Sequence, residues 1–235
     1  SRPLENGPTM RGFDYFFGMD APNYPPYCYI ENDRTIGIPS KDKPRSMFGV
    51  PGVMREDWDL YKVLPELEKR AVRYINERAD PDRPFFLYFP LPAPHTPILP
   101  TAEFAGKSQT NAYGDFCLQV DDVVGQVMSA LERNGIVDDT ILIFTADNGC
   151  SPMADFDELA AVGHRPSHVF RGHKADIYEG GHRIPLLVRW PAGIAAGGMS
   201  DTTVCLVDLL ATMADIHNDR LPDDVGEDSV SNLPL

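Results

Sequence analysis

The sequence predicts an α/β fold, a largely parallel sheet flanked by helices. Three observations carry this expectation. FFLYF (85–89), TILIFTA (140–146) and IPLLVRW (184–190) are short apolar runs with the length and composition of buried strands. Segments with apolar residues at helical spacing lie between and around them. The two kinds of element alternate along the chain, as they do where crossover helices join parallel strands.

Each element has its own justification. Residues 1–55 hold proline-rich clusters, APNYPPY and PSKDKPRS, interleaved with Phe13, Tyr15, Phe16, Phe17, Tyr24, Tyr27 and Tyr29. They read as long irregular loops packed on one domain that runs through 1–235. LPELEKRAVRYINERA (64–79) places Leu64, Leu67, Ala71, Tyr74 and Ile75 three and four residues apart, with charge on its other faces. Pro84 ends that pattern. Between Asn111 and Asn134, Phe116, Val120, Val123, Val127 and Leu131 form one apolar stripe, and Asn134-Gly135 supplies a helix stop. TVCLVDLLATMADI (203–216) is apolar on most faces and long enough for a last helix.

Composition excludes some classes of function. The 235 residues are 43% hydrophobic, enough for a packed core, and carry a formal net charge of -14. That charge argues against nucleic-acid binding, which needs a basic face. Mean hydropathy is -0.26, and no apolar run approaches the length of a membrane span. A site for an anionic ligand must therefore be a local exception. One exists between His164 and Arg183, where Arg165, Arg171, Lys174 and Arg183 join His164, His168, His173 and His182, opposed only by Asp176 and Glu179. The four cysteines, Cys28, Cys117, Cys150 and Cys205, form no C-x-x-C motif. Cys117 and Cys205 sit in apolar patterns and read as buried free thiols.

Three stretches offer chemistry. Asp147-Asn148 follows the strand run TILIF, at the kind of strand end where α/β sheets bind ligands. A carboxylate and an amide oxygen are hard donors suited to calcium or magnesium. Alone, DNG reads more simply as an Asx turn. His95 lies in PLPAPHTPILP (90–100), stiffened by Pro94 and Pro97, although a surface histidine in a proline turn is the plainer reading. Lys174, in RGHKADIYEGGHRIPLLVRWP (171–191), offers a compact charge with three donors for an oxyanion. A solvated basic loop is the bland alternative, and it is retained for Arg165 and Arg183.

Taken together, and in this order, the segments RGFDYFFG (11–18), PFFLYFPLPAPHTP (84–97), YGDFCLQVDDVVGQVMSALERNG (113–135), TILIFTADNG (140–149), GHKADIYEGGHRIPLLVRWPAG (172–193) and 204–216 resemble the type I sulfatases, the arylsulfatase family of the alkaline phosphatase superfamily. The resemblance implies an alkaline-phosphatase-like fold. It implies that Asp147 and Asn148 are metal ligands for Ca2+, with Mg2+ as the alternative. His95 and Lys174 would be catalytic and would bind the substrate sulfate. It implies hydrolysis of a sulfated small molecule or glycan, in a periplasmic, secreted or lysosomal setting.

The family also implies a formylglycine nucleophile made from a C-x-P-S-R-type signature. The stretches beginning at the four cysteines, CYIEN, CLQVD, CSPMA and CLVDL, do not match it, and no serine does. The expectation is a catalytic domain incomplete at both ends, a fragment inactive by itself. Two alternatives stand beside it. One is a phosphodiester or phosphonate hydrolase of the same superfamily, and the other is a non-catalytic binding module that keeps the fold.

Overall fold

The computed structural model describes residues 3–80 and 82–233. The chain divides into two compact units, Ser1–Ala192 and Gly193–Leu235.

The first unit opens with irregular chain that carries short strands: β1 (Phe17–Gly18), β2 (Ile30–Glu31), β3 (Arg34–Thr35), β4 (Lys41–Asp42) and β5 (Val53–Met54). β1, β2 and β3 pair antiparallel in that order, and β4 pairs antiparallel with β5. Tyr27 anchors this region. Its ring is almost fully buried, and its hydroxyl donates to the carbonyls of Asn23 and Val50 at 2.8 and 2.7 Å. Arg70 then ties the loops to the first long helix. Its guanidinium donates to Glu31 at 2.8 Å, Tyr15 at 3.3 Å and Glu66 at 3.2 Å, and lies 4.1 Å from the centre of the Phe17 ring. The Tyr15 hydroxyl, and after it Arg70, hold the Glu31 carboxyl below its ordinary pKa.

Two helices form the main core. α1 (Val63–Arg78) buries Val63, Leu64, Leu67, Ala71 and Ile75, close to the stripe its spacing predicts. α2 (Ala112–Arg133) buries Phe116, Val120, Val123, Val127, Ala130 and Leu131. α2 ends at the stop the sequence signals, and the structure shows how it begins. The Asn111 side chain accepts from the backbone of Tyr113 and Gly114, and Gly135 takes the left-handed conformation at φ +69° that a helix stop favours. The helices pack on each other, with Phe85, Leu87 and Phe89 completing the contact.

The sheet departs from expectation. β6 (Leu142–Thr145) and β7 (Leu186–Arg189) form where two of the apolar runs predict, yet they pair antiparallel, from Leu142 opposite Arg189 to Thr145 opposite Leu186. Between them lie a 3-10 turn (Pro152–Ala154) and the short helices α3 (Phe156–Ala161) and α4 (Glu179–His182). None has the length of a crossover helix that would bring β7 back parallel. Phe85–Phe89 keeps the alternation of a strand. Phe86 and Tyr88 are 71% and 68% exposed while Phe85, Leu87 and Phe89 are half-buried, but the segment joins no ladder among the described residues.

The second unit holds α5 (Asp208–His217), which starts five residues later than its apolar pattern suggests. The Asp208 carboxylate accepts from the backbone of Cys205 at 2.7 Å and of Val230 at 3.0 Å, fixing the helix start there. All four cysteines are free. Contrary to the expected burial, Cys117 is only half-buried and Cys205 is exposed, because Cys205 precedes the helix; Cys28 is the buried one. No helix of the described residues is long and apolar enough to cross a membrane.

Asp115 organises the loop that leads into α2. It is buried, and it accepts from the backbone of Gly106 at 2.7 Å and Ser108 at 2.8 Å. Burial works against its charge, but these hydrogen bonds outweigh that and hold its carboxyl below the ordinary value. A depressed carboxyl stabilises the fold above the unfolded-state pKa of about 3.9 and loses that contribution as pH falls through the folded value. Asp115→Asn is therefore expected to lower stability at neutral pH by about 1–3 kcal/mol and to flatten the decline toward acid. Urea unfolding followed from neutral pH to about pH 3 checks both effects.

Candidate active site

β6 delivers the first candidate residues. Its last residue, Thr145, donates its hydroxyl to Pro185 O at 2.8 Å, which fixes the strand end against the chain entering β7. The chain then turns through Ala146, Asp147, Asn148 and Gly149. Asp147 is exposed and Asn148 half-buried. The Asn148 amide nitrogen donates to Gly149 O at 3.0 Å, so its carbonyl oxygen is the atom available to a ligand.

The opposing wall is the turn from Arg171 to His182, built from backbone hydrogen bonds. Gly180 N–H donates to Arg171 O at 2.8 Å, and Gly181 N–H to Tyr178 O at 2.7 Å. His173 N–H donates to the Asp176 carboxylate at 3.1 Å while Asp176 N–H returns a bond to His173 O at 2.9 Å. The His173 ring donates from Nδ1 to Lys174 O at 2.8 Å. These bonds hold Lys174 within a tight turn, next to Ala175 at φ +76°.

The two walls meet through backbone alone. Gly149 N–H donates to Gly181 O at 2.8 Å, and Lys174 N–H donates to Cys150 O at 2.8 Å. A Cβ on Gly149 would overlap the Gly180 carbonyl oxygen, and one on Gly181 would overlap that of Asp176. Gly149, Gly180 and Gly181 therefore allow an approach that no other residue permits.

The basic island divides into engaged and free cations. Arg183 pairs with Glu179 at 3.1 Å and lies over the Phe170 ring at 4.6 Å. Arg171 lies over the Tyr178 ring at 3.8 Å. Lys174 has no ion-pair partner among the described residues, so its ammonium remains available to an anion.

His95 is exposed on its proline loop, where the bonds before Pro94 and Pro97 are both cis. Its Nδ1 lies 2.7 Å from Thr96 O. A carbonyl can only accept, so Nδ1 carries a proton and Nε2 is the atom left for chemistry. The loop is carried on the core shared with β6: Leu91, Ala93, Ile98 and Phe144 all pack against the cluster of Leu64, Phe116, Val120 and Val123. His95 also borders a small pocket with Tyr61, Leu64 and Phe116.

The structure thus joins the loop of Asp147 and Asn148 directly to the turn of Lys174. It brings His95 to the core that supports β6, while the hydrogen bonds of His95 stay within its own loop. No group of three or more His, Cys, Asp or Glu side chains among the described residues is arranged to hold a metal. Asp147 and Asn148 are hard oxygen donors that fit a calcium-type ion, as two of its six to eight ligands. Sequence reasoning missed Asp176, whose carboxylate shapes the Lys174 turn. Its signal was an acid two residues beyond the lysine, which the sequence shows only as a charge opposing the basic residues.

A family model described as Sulfatase matches residues 3–218. The chain is 38% identical over 194 residues to an N-acetylgalactosamine-6-O-sulfatase of Bacteroides thetaiotaomicron, covering 80% of this chain and 36% of that protein. It is 29% identical to N-acetylgalactosamine-6-sulfatase of Mus musculus, over 97% of this chain and 42% of the relative. Among solved structures, one from work on glycosaminoglycan metabolism in Bacteroides thetaiotaomicron superposes with a TM-score of 0.86 at 28% identity, over 97% of this chain and 56% of that one. The structure of Ps i-CgsB with k-i-k-neocarrahexaose shares the fold at a TM-score of 0.73 and 21% identity, over 100% of this chain and 52% of that one. The chain therefore spans about two-fifths of the length of the curated relatives named here.

The glycine contact yields a direct expectation. Gly149→Ala should force the two walls apart, destabilise the protein by about 1–3 kcal/mol and leave the α1–α2 core intact. Thermal unfolding read against the helical circular dichroism signal measures this; an unchanged melting temperature would mean that the loops are not in contact.

Proposed function

The chain belongs to the sulfatase family, and on that premise we propose that the protein containing it hydrolyses sulfate esters of carbohydrates. The observation that carries this reading is Lys174: an ammonium without an ion-pair partner among the described residues, in a turn bonded backbone-to-backbone to the loop of Asp147 and Asn148. Relatives named for N-acetylgalactosamine 6-sulfate suggest a 6-O-sulfated N-acetylgalactosamine in a glycan as the substrate.

The roles follow from the chemistry of each group. Lys174 donates to the non-bridging sulfate oxygens and stabilises charge that develops there as the ester bond breaks. His95, with Nδ1 committed to Thr96 O, presents Nε2 to the sulfate and, as the imidazolium, can pass a proton to the departing sugar oxygen. Asp147 and Asn148 would contribute two oxygens to Ca2+, or to Mg2+. When bound, that ion supplies positive charge beside the sulfate. The formylglycine implied by the family has no signature sequence within these 235 residues.

The same reading extends to the sheet. Phe85–Phe89 has strand-like alternation and packs in one cluster with Leu142 of β6. The 22-residue α2 connects the two and is long enough for a parallel crossover. We propose that they are parallel neighbours in the sheet of the whole protein.

The decisive assay uses the full-length protein and measures sulfate released from N-acetylgalactosamine 6-sulfate, with a phosphodiester as comparison. Lys174→Ala should lower kcat/KM by about 100- to 1000-fold. His95→Ala should lower kcat by about 100-fold with a smaller change in KM. Hydrolysis of the phosphodiester in preference to the sulfate ester would overturn the assignment.

A further inference from the structure

The pocket that borders His95 has a chemistry of its own. It is a cavity of about 30 Å³, close to the volume one water takes up in the liquid, so it holds one small group. Its buried lining is apolar: Val63 and Leu64 from the start of α1, and Phe116 from α2. Pro22, Leu60 and Leu99 extend that apolar lining and are half-buried. The exposed residues of the lining are Tyr61 and His95, which therefore stand at its mouth.

The polar groups collect at that mouth. The 3-10 turn Leu60–Lys62 holds Tyr61, whose backbone N–H donates to the Asp59 carboxylate at 3.0 Å. The Tyr61 hydroxyl has no hydrogen-bond partner among the described residues. The Thr96 hydroxyl adds a second polar group, 3.3 Å from His95 Nδ1. Such a cavity selects by polarity. A water or a sugar hydroxyl inside it would face Val63, Leu64 and Phe116, which offer no hydrogen bond. A methyl gives up nothing there and gains apolar contact. An amide attached to that methyl keeps its own polar atoms at the mouth, beside the Tyr61 hydroxyl. Among the substituents of a sulfated amino sugar, the acetamido group has this order of parts.

We propose that the cavity receives the acetamido methyl of the sulfated sugar, and that Tyr61 is a specificity-determining residue whose hydroxyl donates to the acetamide carbonyl. The inference rests on the sulfatase reading for the placement of the sugar against His95. It adds a physical reason why N-acetylgalactosamine 6-sulfate would be preferred to galactose 6-sulfate, which carries a hydroxyl in place of the acetamide. Discrimination through one small apolar group is about 10- to 200-fold in kcat/KM.

Two measurements on the full-length protein test this. Sulfate release is followed with N-acetylgalactosamine 6-sulfate and with galactose 6-sulfate. Saturation-transfer NMR on a slow variant, His95→Gln, reads which protons of N-acetylgalactosamine 6-sulfate touch the protein, a contact that needs no turnover. The acetamido methyl should receive the largest transfer. Tyr61→Ala removes one wall of the cavity and Leu99→Phe fills it. Each should lower kcat/KM for the acetamido sugar about 10-fold and change that for galactose 6-sulfate less than about twofold. Methyl contact without sulfate release from either sugar would support the cavity and sink the sulfatase reading alone. A methyl that receives no more transfer than the ring protons, equal rates on the two sugars in the wild type, or equal losses on both sugars in the two variants would overturn the proposal.

Discussion

The joining of the Asp147–Asn148 loop to the Lys174 turn depends on two backbone chains lying closer than side chains allow. Gly149 N–H reaches Gly181 O, and on each side of that bond a Cβ would overlap a carbonyl oxygen. This single constraint sets Lys174 beside the loop of Asp147 and Asn148, with the Lys174 N–H to Cys150 O bond as its continuation. The glycines are thus part of the chemistry, because they decide how near an amine and two oxygen donors can stand.

The rest of the first unit supports that meeting point. α1 and α2 form the floor, and β6 and the His95 loop rest on the same cluster of Leu64, Phe116, Val120 and Val123. Asp115 pins the loop that follows His95, and Arg70 gathers the N-terminal strands onto α1. In a chain with net charge -14, Arg171 and Arg183 are occupied by aromatic faces or Glu179, and Lys174 is not. Among the described residues, Lys174 is therefore the unpaired cation of the island that sits in the turn bonded to the Asp147–Asn148 loop.

Much of this was legible because it is local. The period of Leu64, Leu67, Ala71 and Ile75, the stripe from Phe116 to Leu131 and the Gly135 stop are set by neighbours a few residues away, so pattern alone places α1 and α2. The apolar runs at β6 and β7 locate strands for the same reason. Their pairing sense was not legible, because it depends on the length of the connecting helices, and α3 and α4 are too short to be read from periodicity. Gly149 was recognisable as part of a turn, and Gly180-Gly181 stood in the sequence as a pair of glycines. That they touch is a contact across some thirty residues, and no local pattern records it. Cys205 misled for a related reason: an apolar neighbourhood in sequence says little about a residue that lies just before a helix starts.

The half-wetted segment Phe85–Phe89 has a colloidal consequence. Phe86 and Tyr88 present aromatic surface on an extended backbone with no ladder partner among the described residues, the geometry from which edge-to-edge association starts. What opposes such sticking is the repulsion between acidic molecules, which fades beyond about 10 Å at 0.1 M salt. Ionic strength, more than temperature, would then govern how long this polypeptide stays dispersed.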